Sequence, residues 1–332
     1  MKIKHRLLMF VVVFIAVFAI WFVYSGITGA VVFYTEIPNE SGTEIQAYFC
    51  PRDNCGEKLS NLINSAQEVE CAFYNLNLKN VKDALKSKNY KLIVDSDGEK
   101  YISEMDYLAR PEGSGLMHNK FCIFNNQTIF TGSFNPTKAQ DTIDANNILV
   151  INSKYLAENY LAEFREMENG WFASGEKTPN EKIIYDGELI ENYFCPEDSC
   201  AEHLAEVLKS AKSEIKFMTF SFTHDNIGTI LADKAKEGVE VKGAFDKSQA
   251  SSQYSEFWQL KNITEVKTDT MKGLLHHKVF IIDRDIVATG SFNPTKNADT
   301  KNDENLLIIH SPAIAEKYLE EFEFVWGNET AA

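Results

Sequence analysis

The chain has 332 residues, 44% hydrophobic and 24% charged, enough for two ordinary domains with full cores and too apolar for a disordered chain. Lys+Arg is 33 against Asp+Glu 48, a formal net charge of -15. That balance excludes a protein that holds nucleic acid through a broad basic surface.

Taken in chain order, residues 1–34 come first and hold Lys2, Lys4 and Arg6 but no acid. Every residue from Leu7 to Tyr24 is apolar or aromatic, and Ile27 to Tyr34 adds more. The run suits a transmembrane helix, which needs roughly 20 apolar residues. A secretory signal has a shorter apolar region of about 7–15 residues, although Thr28-Gly29-Ala30 keeps cleavage as the alternative. Bases precede the run and Glu36, Glu40 and Glu44 follow it. The positive-inside bias then puts the N-terminus in the cytoplasm and the body outside, as part of a single-pass membrane protein. The body is extracytoplasmic on either reading.

The cysteines fit that compartment. Cys50 and Cys55 sit in CPRDNC, and Cys195 and Cys200 in CPEDSC. Two C-x4-C pairs outside the cytosol are expected to form two short disulfides, with a shared zinc site as the rival. Cys71 and Cys122 have no counterparts in the second half, and either pair with each other or sit in the core as thiols.

The C-x4-C segments belong to a duplication. Tyr48-Phe49-Cys50-Pro51, Asp53, Cys55, Glu57 and Leu59 recur as Tyr193-Phe194-Cys195-Pro196, Asp198, Cys200, Glu202 and Leu204. TGSFNPTK, Thr131 to Lys138, recurs unchanged at Thr289 to Lys296. The second copy carries 13 extra residues between these points (289 − 131 against 195 − 50), expected within Lys247–Ser255. The copies span 44–172 and 188–328, joined by a linker over 173–187 that is rich in breakers and polar residues.

Each copy opens with a helix whose N-terminus reads as a capping box, Asn54 before Glu57 and Ser199 before Glu202. Strands are expected at Glu70–Tyr74 and Ile215–Phe222, then at Lys91–Asp95 and Val239–Phe245 after a second helix. Hairpin strands and closing helices near Lys154–Phe172 and Ala313–Trp326 complete the pattern. The fold class is α/β: two similar domains related by a pseudo-twofold axis, preceded by the membrane helix.

The chemistry sits in His118-Asn119-Lys120 and His276-His277-Lys278. Residues i and i+2 of a strand share a face, so each first His projects beside its Lys. Such a pair suits an oxyanion: Lys offers charged donors, and His attacks or transfers protons near neutral pH. In both copies an apolar run, a polar turn and Gly-Ser-Phe-Asn follow. Pro136 and Pro294 leave open that Asn135 and Asn293 are helix N-caps. His277 reads as a variable middle residue facing away, and His5, His203, His224 and His310 read as surface residues.

H-x-K-x4-D followed by G-S-x-N, present twice, resembles the phospholipase D superfamily, with the compact nuclease-like and cardiolipin-hydrolase-like members as the nearest pattern. The second copy matches at His276, Lys278, Asp283, Gly290, Ser291, Asn293, Asn302, Glu304 and Asn305. The first matches at His118, Lys120, Gly132, Ser133 and Asn135, and departs at Asn125 for Asp and at Asn146 for Glu. The resemblance implies a phosphodiesterase working in two steps through a phosphohistidine, with no metal or cofactor. Lys120, Lys278, Ser133, Ser291, Asn135 and Asn293 would surround the phosphate oxygens. Pairing of the copies would complete one site, without a call on further oligomers. Asp283 lies at a turn that Asn125 fills equally well. His276, backed by Glu304, is therefore expected as nucleophile and His118 as general acid, with the reverse as the alternative. A membrane tether favours phospholipid headgroups as substrate. Single-stranded nucleic acid, and a non-catalytic phosphate-binding scaffold, are the competing readings.

Overall fold

A computed structural model describes residues 36–113 and 115–327. The segment expected to span a membrane lies outside these. Among the described residues, no helix is long and apolar enough to cross a bilayer.

The first repeat runs β1 (Asn39–Glu40), β2 (Gln46–Cys50), α1 (Cys55–Ser65), β3 (Glu68–Phe73), α2 (Lys79–Lys86) and β4 (Asn89–Asp95). A 3-10 turn (Ser96–Tyr101), β5 (Leu108–Arg110), β6 (Lys120–Phe124), β7 (Thr128–Gly132), α3 (Lys138–Thr142), β8 (Asn146–Asn152) and α4 (Lys154–Glu168) follow. The second repeat runs β9 (Lys182–Tyr185), β10 (Glu188–Cys195), α5 (Cys200–Lys209), β11 (Glu214–Thr219), α6 (Asp225–Lys236) and β12 (Glu240–Phe245). It continues with α7 (Lys247–Ala250), α8 (Phe257–Leu260), β13 (Glu265–Thr268), β14 (Lys278–Ile282), β15 (Ile286–Gly290), α9 (Lys296–Thr300), β16 (Glu304–His310) and α10 (Pro312–Gly327).

The two sheets have the same topology. One is ordered β2-β8-β7-β6-β3-β4-β5 and the other β10-β16-β15-β14-β11-β12-β13, extended at the β10 edge by β9 and β1. The 173–187 connection thus contributes a strand, β9, and β1 of the first repeat pairs with it in parallel. Asn39–Glu40 therefore adds to the sheet of the second repeat just before the chain enters the first.

Three hydrophobic clusters follow from the alternation of the strands. Outer ones lie beneath α1 and α2, with Leu59, Ile63, Val81 and Leu85, and beneath α5 and α6, with Leu204, Leu208, Ile227 and Leu231. The central one joins the repeats through Phe121, Tyr160, Phe194 and Tyr318, contributed by both sheets and by α4 and α10. Residues from Ile37 onward accordingly form one compact unit.

Cys50–Cys55, Cys195–Cys200 and Cys71–Cys122 are joined as disulfides, so the Cys71 and Cys122 alternatives resolve as a bridge between facing residues of β3 and β6.

The extra residues of the second repeat are not confined to Lys247–Ser255. Equivalent positions are offset by 146 at Phe73/Thr219 (219 − 73), by 151 at Val94/Phe245 (245 − 94) and by 158 at Lys120/Lys278 (278 − 120). Helix α6 is longer than α2, and the β12–β13 connection is longer than β4–β5. The capping boxes are also corrected. Asn54 and Ser199 adopt left-handed backbone, φ 53 and 54, and their side chains cap nothing. The helix ends are capped from a distance: Asp141 accepts from Gly56 N at 2.7 Å and Asp299 from Ala201 N at 2.9 Å.

Candidate active site

The site forms where each repeat reaches into the other. Met117 bridges Asp303 and Leu275 bridges Ala145, both in parallel, so the residue before each motif histidine is tied to the residue just before the opposite repeat's last strand. His118 N donates to Asp303 O at 2.9 Å, and His276 N to Ala145 O at 2.8 Å. Two buried carboxylates hold the incoming loops, Asp95 accepting from Met117 N and Asp246 from Leu275 N.

This exchange sets the partners of the histidines. His118 Nδ1 lies 2.8 Å from Glu304 Oε2, which comes from the other repeat. His276 Nδ1 lies 2.8 Å from Asn146 Oδ1 and 3.1 Å from Ser133 O. The expectation that Glu304 backs His276 is therefore wrong. Each histidine is served by the opposite copy, which a reading of the copies as self-contained units assigns the wrong way round. A carboxylate only accepts, so Nδ1 of His118 carries the proton and Nε2 is the bare nitrogen. The carbonyl oxygens at His276 impose the same tautomer without a negative charge.

Ser133 and Ser291 have a definite task. Ser291 Oγ donates to Glu304 Oε2 at 2.7 Å, and Ser133 Oγ reaches Asn146 Oδ1 at 3.3 Å and Asn147 Oδ1 at 3.2 Å. Asn302 donates to the other Glu304 oxygen at 3.1 Å. The hydroxyls thus position the histidine partners. The preceding glycines are required by close approach. Gly132 and Gly290 have φ of 146 and 150, and a Cβ would lie 2.2 Å from Asn147 O and 2.3 Å from Asn305 O.

Asn135 and Asn293 are not helix caps. Thr137 and Thr295 cap α3 and α9. Asn135 Oδ1 accepts from Asn75 N at 3.3 Å, while Asn293 Oδ1 is buried without a partner. Asn125 and Asp283 sit at matching left-handed turns. Asp283 accepts from the backbone of Lys212, Ser213 and Glu214, and Asn125 from Gln67 and Glu68. Their role is to close a turn, which either side chain does.

Lys120 and Lys278 are buried and their ammonium groups turn back to the carbonyl oxygens of His118 and His276. Burial pushes Lys120 down to about 7, against the pull of Glu304 and Asp95. Burial and the neighbouring Lys120 hold Lys278 well below the usual lysine range. Burial lowers His118 to about 4, opposed by Glu304. Burial, with Lys278, Lys120 and His118 adding to it, holds His276 well below the usual histidine range. Two lysines and two histidines are buried together with the charged form of each disfavoured, so the site gains from a bound anion that restores that charge.

Sequence reasoning missed two aromatic walls and the network behind the site. The Tyr74 ring lies 5.4 Å from the His118 ring, and Phe220 lies 4.9 Å from His276. Lys120 and Lys278 Nζ approach the same rings at 5.6 and 5.2 Å. The recurrence of an aromatic residue just after β3 and β11 was the available signal. Behind the site, His277 is fully buried, between Asn147 Oδ1 at 3.1 Å and Glu321 Oε1 at 3.0 Å. It faces away from the histidine pair, as alternation requires, but it belongs to a cross-repeat ladder. Asn119 takes the equivalent place between Glu163 and Asn305. Thr131–Asn305 and Asn147–Thr289 bonds complete it, together with Tyr160 and Tyr318. Of the remaining histidines in the described residues, His203 stacks on Tyr193 and His310 pairs with Glu191.

A model of the cardiolipin synthase, PLD-like domain family matches residues 45–168 and 204–326, covering both repeats. The chain belongs to this phospholipase D-like family. The phospholipase D of Rickettsia typhi is 33% identical over 132 residues, 40% of this chain and 65% of that protein. The mitochondrial cardiolipin hydrolase of Mus musculus is 30% identical over 130 residues, 39% of this chain and 59% of that protein. In each case the chain spans less than two thirds of the relative's length. The crystal structure of phosphatidylserine synthase from Haemophilus influenzae matches with a TM-score of 0.61 over 84% of this chain and 86% of that one. Its 11% identity makes this a likeness of fold.

Proposed function

We propose that the protein is a membrane-anchored extracytoplasmic phosphodiesterase that hydrolyses phospholipid headgroups, with His118 as nucleophile and His276 as general acid and base. The observation that carries this reading is the unequal pair of partners, Glu304 on His118 and Asn146 on His276. A carboxylate stabilises the cationic phosphohistidine, whereas an amide orients its ring without adding charge. In the first step His118 Nε2 forms a bond to phosphorus, the bond to the leaving oxygen breaks, and His276, which takes up a proton once the bound phosphate offsets Lys120 and Lys278, gives that oxygen its proton. In the second step a water oxygen attacks phosphorus, His276 takes the water proton, and the P–N bond breaks. Lys120 and Lys278 offset the charge on the non-bridging oxygens. No metal or cofactor has a part in this scheme.

Three disulfides and the basic-then-apolar N-terminal sequence support a body outside the cytoplasm. The net charge of -15 and the tether favour lipid over nucleic acid. The test is the full chain, in detergent with excess chelator, given phospholipid vesicles, single-stranded oligonucleotides and bis(p-nitrophenyl) phosphate, beside His118→Ala. Headgroup release lost in the variant is expected. Cleavage of oligonucleotides alone makes the protein a nuclease, and no cleavage of any substrate leaves a phosphate-binding protein.

A further inference from the structure

The two crossovers that build the site are fastened alike in their backbones. Asp303 N donates to Leu116 O and Asp303 O accepts from His118 N, both at 2.9 Å. Ala145 N donates to Leu274 O and Ala145 O accepts from His276 N, both at 2.8 Å. The residue before each bridge partner also serves the incoming loop: Asn302 Oδ1 accepts from Leu116 N at 3.0 Å, and Asp144 Oδ1 from Leu274 N at 2.8 Å. Both loops pass close to the opposite repeat. A Cβ on Gly115 would lie 2.1 Å from Lys301 O, and one on Gly273 would lie 2.3 Å from Ile143 O.

The side chains at the bridge break this equivalence. Asp303 stands where the first repeat has Ala145 (303 − 158). Its buried carboxyl meets Arg110 Nη1 at 3.0 Å through Oδ2 and accepts from Ala173 N through Oδ1. Arg110, the last residue of β5, is buried as well, and its guanidinium lies 5.8 Å from the Phe172 ring. Ala109 pairs with Val94 and Thr268 with Phe245, so the second repeat has Asp269 in the place of Arg110. Asp269 serves its own repeat, accepting from Lys247 N at 2.8 Å and Met271 N at 2.9 Å.

One carboxyl thus gathers three segments beside His118: β5 through Arg110, the lead-in to β16 through its own backbone, and the chain leaving the first repeat through Ala173. Ala173 takes left-handed backbone, φ 51, which a residue with a Cβ resists, and in that conformation its N–H reaches Asp303. A guanidinium is a rigid planar fork, so this contact fixes direction as well as distance.

We infer that the Asp303–Arg110 pair is a positioning device for His118, through which the connection between the repeats sets the alignment of this histidine against Glu304. Neither residue touches the reacting atoms; they act through the Met117–Asp303 bridge and the adjoining Glu304. The His276 side has an alanine at its bridge and is held by backbone bonds and Asp144 instead. The kinetic consequence rests on the proposed reading of His118 as nucleophile.

The test uses the full chain in detergent. Asp303→Ala alone would strand a buried guanidinium, so the principal variant is Arg110→Met/Asp303→Ala, which removes both charges and puts at 303 the residue type the other repeat carries. With bis(p-nitrophenyl) phosphate its kcat is expected to fall about tenfold to a hundredfold with KM nearly unchanged. In protein with isotope-labelled histidines, the Nδ1–H proton signal of His118, assigned by its loss in His118→Ala, is expected to move while that of His276 stays. Arg110→Lys keeps the charge but loses the fork, and should lower kcat about threefold or more with the same shift of the His118 signal. It carries the test if the double variant fails to fold. Wild-type kcat with an unmoved His118 signal in a folded variant overturns the device. Equal movement of both histidine signals overturns it too, because that is a general loosening of the interface. If wild type cleaves no phosphodiester, the nucleophile reading fails, and the two histidine signals still decide whether the pair positions His118.

Discussion

Glu304 and Asn146 occupy the same position in the two repeats, 158 residues apart (304 − 146), and each faces the histidine of the opposite repeat at 2.8 Å. The duplicated fold therefore has an internal difference at the one place where it alters chemistry. Trapping reads it directly. His276→Ala removes the group that activates water but leaves His118 and Glu304 intact. With p-nitrophenyl phosphodiesters, whose leaving group needs no proton, this variant should accumulate an acid-labile phosphohistidine at His118. Mass spectrometry of peptides kept at alkaline pH locates the adduct. An adduct on His276 in His118→Ala, with none on His118, would reverse the roles.

Replacing Glu304 tests the carboxylate itself. Glu304→Gln keeps an oxygen for Ser291 and for His118 Nδ1 but removes the charge, and should lower kcat by about 10²- to 10⁴-fold with little change in KM. Asn146→Asp supplies a carboxylate to His276 and should raise its proton affinity, moving the pH–rate profile upward. An unchanged profile would show that the amide position does not govern His276.

The duplication, the His-Lys pairs and the two C-x4-C pairs were legible because each is a local pattern, whereas Cys71 and Cys122, 51 residues apart, were left open. The pairing of Glu304 with His118 was not, since it depends on the Met117–Asp303 and Leu275–Ala145 bridges, which join residues 186 and 130 positions apart (303 − 117 and 275 − 145). The cap of α1 failed for the same reason: the donor at Gly56 is met by Asp141 from another helix, while Asn54 spends its backbone freedom on a left-handed turn. Asn135 looked like a cap because a proline follows it, yet the next threonine caps α3. Local spacing identified the chemical groups, and the fold chose their partners.

Anion binding should be coupled to protons. Lys120 is pushed down to about 7 and Lys278 is lowered too, because burial disfavours their charge. An anion between them restores the charged forms, so binding takes up protons and weakens as pH rises through the Lys120 value. Sulfate keeps its charge across the range and serves as the probe. Its affinity should fall by up to about tenfold per pH unit for each proton taken up, between about pH 6 and 9. Affinity independent of pH would mean that the lysines stay charged in the empty site.

Glu163 and Glu321 are equivalent positions with opposite surroundings, and the same substitution should act on them with opposite sign. Glu321 is paired with Arg52 and His277. Burial, with Asp303, Glu197 and Glu166 nearby, pushes Glu163 well above its ordinary 4.5. The folded protein therefore holds a proton that the unfolded chain releases above that value. Stability falls as pH rises from there toward the folded value, by about 1.4 kcal/mol per tenfold change in proton affinity. Glu163→Gln keeps the acceptor for Asn119 and removes this loss, so it should stabilise the protein more at pH 8 than at pH 5. Glu321→Gln should destabilise it by about 3 kcal/mol or more, leaving buried His277 without its carboxylate. Thermal unfolding at both pH values checks the pair, and the same sign for both variants would contradict it.

The disulfides should differ in what they contribute. Cys50–Cys55 and Cys195–Cys200 each close a loop of sequence separation 5, whereas Cys71–Cys122 closes one of 51. Loop-closure entropy in the unfolded chain grows with the logarithm of loop length, so the long bridge contributes about 2 kcal/mol more than either short one. The short loops also have a second fastening, because Asp53 accepts from Phe49 N at 2.7 Å and Asp198 from Phe194 N at 2.9 Å. Removing the Cys71–Cys122 pair as a double alanine variant should therefore lower stability by about 2 kcal/mol beyond the loss from the Cys50–Cys55 double variant. Urea unfolding of both variants measures the difference. Equal losses would mean that the buried fit of Cys71 against Cys122, between β3 and β6, and not the length of chain enclosed, sets the contribution of the bridge.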